Sequence, residues 1–101
     1  MPQKAILMKE ENEMKNLVKY LTYSAELEKK KEELNKVSAE LKNIDSAVDM
    51  LEDSSLKDSD IAKSIYKYWD ALNKKEKTLK YAIAKLELEI AKFELEQAYA
   101  E

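Results

Sequence analysis

Residues 61–100 read IAKSIYKYWDALNKKEKTLKYAIAKLELEIAKFELEQAYA, and apolar side chains recur through this run at fixed spacing. Ile65, Leu72, Leu79, Leu86, Phe93 and Ala100 fall seven residues apart. Ala62, Trp69, Ile83 and Ile90 form a second row three residues ahead of the first, broken only by Glu76 and Gln97. Alternating steps of three and four place both rows on one face of an α-helix, the seam that one helix offers to another. At ~1.5 Å per residue such a helix is on the order of 60 Å long and cannot bury its seam against itself.

Working back toward the N-terminus, residues 3–51 read as one long helix. Leu27, Leu34, Leu41 and Val48 make one row, and Val37, Ile44 and Leu51 the other. Projected further back, the seam takes Tyr23, Tyr20 and Ile6, but also Lys30, Asn16 and Glu13. The earliest segment favours a shifted row of Leu7, Met14, Leu17, Val18, Leu21 and Ala25, so the apolar face rotates near Thr22–Ser24. A bend or a break is the local alternative there.

Between the two helices lies Glu52-Asp53-Ser54-Ser55-Leu56-Lys57-Asp58-Ser59-Asp60. Ser55 with Asp58 has the spacing of a capping box, and Ser59 is a second N-cap candidate. The expected arrangement is a single domain over residues 1–101, with a helix at 3–51, a turn at 52–55 and a helix at 56–99. The aspartates around the turn lack the glycine and spaced oxygens of a calcium loop, so capping is the preferred reading. With no Gly and Pro only at position 2, strand hairpins have no turn residues to use. The fold class is all-α, a long antiparallel helical hairpin of coiled-coil type.

Register follows from the misfits. Placing Leu41 against Ile65 sets Val37 against Trp69, Leu34 against Leu72, Leu27 against Leu79 and Tyr20 against Leu86. It also brings Lys30 to Glu76, two charges that compensate each other. A slip of one heptad sets Lys30 against Ile83 and Val37 against Glu76, leaving two lone charges beside apolar groups. The first register is therefore expected, with Lys30 and Glu76 as its register pair and a tight turn centred near Asp53.

A second stripe marks the end of the chain. Tyr81, Leu88 and Leu95 interlock with Ala84, Ala91 and Ala98, roughly opposite the first seam. A helix that is apolar on two faces has two sets of neighbours. The expectation is a homodimer whose open hairpin ends combine into a four-helix bundle. Its interface would use Leu7, Met14, Leu17, Val18 and Leu21 from the first helix, and Tyr81, Ala84, Leu88, Ala91, Leu95 and Ala98 from the second. The alternative folds the first helix back at Ser24 to cover the stripe within one chain.

Composition narrows the chemistry. There is no His and no Cys, which removes the usual general base, the thiolate nucleophile and the commonest metal ligands. No catalytic residue, cofactor or metal site is assigned, and an enzyme is not expected. All eighteen basic residues are Lys, so no guanidinium fork is present. The net charge of −3 gives no general pull toward nucleic acid or anionic membrane. Lys63, Lys67, Lys74, Lys75, Lys77, Lys80 and Lys85 interleave with Tyr66, Tyr68 and Trp69, which makes a nucleic-acid-binding surface over residues 63–85 the alternative function. In a hairpin, however, those lysines face Glu26, Glu28, Glu32 and Glu33.

No apolar run approaches the ~20 residues of a membrane span, and the short N-terminal run is not a signal peptide. A soluble cytoplasmic protein is expected. The function read from these features is a non-enzymatic protein–protein interaction module: a small homo-oligomeric helical adaptor, an assembly or chaperone factor, or a phage-type inhibitor. Tyr66, Tyr68, Met50 and Leu56 are the candidates for contact with a partner protein.

Overall fold

The computed structural model describes the backbone of residues 2–100 and the side chains of residues 9–99. It is an all-α helical hairpin. Helix α1 spans Pro2–Glu52 and helix α2 spans Asp60–Ala100, with no strand among the described residues. Contacts gather the chain into two units, Met1–Lys29 with Ile83–Glu101 and Lys30–Ala82. They are called here the terminal unit and the turn-bearing unit.

The turn-bearing unit owes its core to the sevenfold rows. Val37, Leu41, Leu72 and Leu79 are buried together, and Leu34, Ile44 and Trp69 pack partly buried against them. Val48 and Ala62 are buried nearer the turn. Each fully buried Leu contributes ~1.5–3 kcal/mol. An alanine at position 62 suits that fully buried site because a larger side chain would hold the start of α2 away from the end of α1.

The turn occupies residues 53–59, longer than the expected 52–55. Ser54 organises its first half. The Ser54 hydroxyl donates to the Leu51 carbonyl at 3.1 Å and accepts from the Leu56 amide at 3.1 Å. Ser59 closes the second half: its hydroxyl accepts from the Ala62 amide at 3.2 Å. That bond occupies one of the free N–H groups opening α2, so Ser59 and not Ser55 is the N-cap. No described residue has positive φ, which is how a chain without glycine makes this connection.

The register is the one that the charge argument disfavours. Trp69 Nε1 donates to Asp45 at 2.6 Å, and the Ser38 hydroxyl donates to Glu76 at 3.3 Å. Under the expected alignment Trp69 would lie across from Val37, and Glu76 across from Lys30. Both contacts place α2 about one heptad further along. The longer turn accounts for this, because its middle lies near Leu56 and not near Asp53. The expected cost of a lone charge does not arise, because Glu76 is not alone beside Val37. Its Oε2 accepts from Ser38, and its Oε1 lies 3.4 Å from Lys80 Nζ. Lys30 is half-buried, as a stem lying on apolar surface with its ammonium in water would be. The Lys30–Glu76 register pair is thus replaced by Ser38–Glu76.

In the terminal unit the same offset appears: Tyr20 stacks on Phe93, with ring centroids 4.7 Å apart, where Leu86 was expected. Ile83 is buried, and Leu27, Tyr23, Leu86 and Ile90 are partly buried. Helix α1 continues unbroken through Thr22–Ser24, so the fold-back at Ser24 does not occur. The Thr22 hydroxyl donates to the Val18 carbonyl at 2.8 Å, satisfying itself inside the helix without interrupting it.

Candidate interaction surfaces

Because Leu86, Ile90 and Phe93 turn inward, the residues between them turn outward. Leu88 is 56% exposed and Leu95 57%, and Ala84, Ala91 and Ala98 are exposed with them. This is the second stripe of α2 in the terminal unit. On α1 the shifted row behaves alike: Met14, Leu17, Val18 and Leu21 are all exposed. Leu7 lies outside the residues whose side chains are described. Two shallow depressions follow this α1 row, one lined by Met14, Val18 and Lys19, the other by Val18, Leu21 and Ala25.

Charges border the α2 stripe. Lys92 Nζ lies 3.5 Å from Glu89 one turn away, with both side chains about half exposed. Tyr20 adds a weak 3.3 Å hydrogen bond from its hydroxyl to Glu94. Beside the Tyr20–Phe93 stack is a cleft of about 200 Å³, lined also by Lys19, Tyr23, Lys92 and Glu96. It mixes both signs of charge, and no set of groups converges in it as a ligand site requires.

The turn-bearing unit holds the other candidates. Tyr68 is half exposed, and its hydroxyl donates to Glu40 at 2.7 Å. That bond, with smaller contributions from desolvation and the Glu40 charge, raises the Tyr68 pKa above the ordinary phenol value. Tyr66 is half-buried, so it is less available than Tyr68. Met50 and Leu56 are strongly exposed. So is Ile61, which the sequence reading missed: it lies beside Ala62 but belongs to neither sevenfold row, and that offset is the signal for an outward side chain. Tyr81, expected in the oligomer interface, is exposed and belongs to this unit.

The lysine and aromatic segment is tied to acids of the same chain. Trp69 and Tyr68 aim their polar hydrogens at Asp45 and Glu40. Lys74 lies 3.1 Å from Asp70, and Lys80 pairs with Glu76. Among the described residues no group of three or more Asp or Glu could hold a metal ion. Nor, among the described residues, is any helix long and apolar enough to cross a membrane. Comparison with protein-family models, curated proteins and solved structures finds no match.

Proposed function

We propose that this protein is a homo-oligomeric helical interaction module, acting by binding and not by catalysis. The observation that carries the reading is the exposure of two apolar rows in the terminal unit, Leu88 and Leu95 on α2 and Met14, Leu17, Val18 and Leu21 on α1. Single exposed leucines need no explanation. Rows repeated along a helix form a contiguous patch, and such patches mark association. A second copy supplies the matching surface without any further component, so a four-helix bundle of two chains is the arrangement favoured.

In that assembly the turn end and the helix surface beyond it are left for a partner protein, with Met50, Leu56 and Ile61 at the tip and Tyr68 further along α2 as its apolar contacts. A small adaptor, an assembly or chaperone factor, or an inhibitor carried by a phage would all use such a tip. The nucleic-acid alternative is disfavoured by the net charge of −3 and by the acids that engage Tyr68, Trp69 and Lys74. The absence of cysteine suits a reducing compartment such as the cytoplasm.

The test is mass in solution combined with helicity. The double substitution Leu88→Glu and Leu95→Glu is expected to convert the assembly to monomer and leave the helix content of the turn-bearing unit intact. An unchanged mass would remove the α2 row from the interface.

A further inference from the structure

Residues 84–89 and 91–96 repeat one pattern, Ala-Lys-x-Glu-Leu-Glu. Both copies of the pattern lie in the terminal unit. The variable position is Leu86 in one and Phe93 in the other, and both are half-buried against α1. The constant positions Ala84, Leu88, Ala91 and Leu95 are exposed. The outward face is therefore a regular seam of its own, with a lysine after each alanine and a glutamate before each leucine.

Those flanking charges discriminate between the two ways in which a second α2 can meet this face. In an antiparallel pair the same flank of each copy falls on the same side. Lys85 then meets Lys92 of the second copy, and Glu87 meets Glu94. In a parallel pair about a two-fold along the helix axes, opposite flanks meet: Glu87 lies beside Lys92 of the second copy, twice by symmetry, and Lys85 beside Lys80, whose charge is already offset by Glu76 at 3.4 Å. Like charges across a helix pair oppose association and opposite charges favour it. Lys92 is available for the exchange because its contact to Glu89 is 3.5 Å long and open to solvent. In the parallel arrangement Leu88 and Leu95 each meet their own counterpart, and the alanines between them let the backbones approach.

The charge pattern points to a parallel, in-register α2–α2 contact between two copies of this chain, which we propose as the centre of the interface. It rests on the self-association proposed above and adds its direction.

Because the chain has no cysteine, single reporters are clean. Leu95→Cys is expected to form an intermolecular disulfide with its own counterpart under mild oxidation, and Leu88→Cys likewise, while Glu96→Cys beside the stripe lags. Both leucines are exposed, so the replacements leave the hairpin core untouched. As a second readout, Glu87→Lys should weaken the dimer about tenfold, and adding Lys92→Glu should restore it. A dimer that cross-links only when Leu88→Cys and Ala91→Cys chains are mixed, or in none of these combinations, overturns the parallel contact and leaves self-association standing. A chain that remains monomeric at micromolar concentration overturns both.

Discussion

Tyr68 shows how much of this protein's polar chemistry is aimed across the hairpin. Its hydroxyl gives its proton to Glu40 at 2.7 Å, and ionising the phenol would set a second negative charge against that carboxylate. The folded-state pKa is raised, so the bond's contribution to stability is complete below the ordinary phenol value and is lost as pH rises through the raised one. We expect Tyr68 to titrate late in a tyrosine-resolved NMR titration, and Glu40→Gln to bring its midpoint down toward the ordinary phenol value. An unmoved midpoint would mean that Glu40 is not the cause. Glu76 teaches a related lesson. From sequence it is a charge on an apolar row, and pairing it with Lys30 looks like the way to satisfy it. In the structure a neutral hydroxyl on Ser38 and the lysine one turn away on its own helix satisfy it instead. A hydroxyl one residue from the seam leaves no periodic trace, so the pattern of charges alone could not reveal it.

At the scale of elements, the helices were legible and their junction was not. The sevenfold rows identify Val37, Leu41, Leu72 and Leu79 as core from spacing alone, because a seam residue has nowhere else to go. The start of α2 depends on a choice between two serines four residues apart, and both have acceptable surroundings. Ser59 caps it, the turn lengthens, and the register moves by a heptad as a consequence. Since every heptad presents the same face, a sequence argument fixes which residues are buried far better than which residue faces which. Removing the cap should be costly and removing the rejected one should not. Ser59→Ala is expected to destabilise the fold by about 1 kcal/mol, and Ser55→Ala to change it little. Thermal or denaturant unfolding of the two variants measures the difference, and the reverse order would put the cap at Ser55.

At the scale of the molecule, the apolar inventory exceeds what two helices can cover. Each α2 heptad in the terminal unit carries an inward set around Leu86 and Phe93 and an outward set around Leu88 and Leu95. The outward set was visible in the sequence as a second stripe, and the continuous α1 removes the one way of hiding it by a fold-back at Ser24. Met50, Leu56 and Ile61 are exposed beside the turn, and their side chains are apolar without a distinctive chemistry, so spacing in the sequence assigns them no ligand. The proposed function needs another copy of the chain to cover the rows in the terminal unit. Sedimentation equilibrium of the unmodified chain over a range of micromolar concentrations tests this most directly. A mass of twice the chain or more is the result predicted here, and a single-chain mass at every concentration would contradict it.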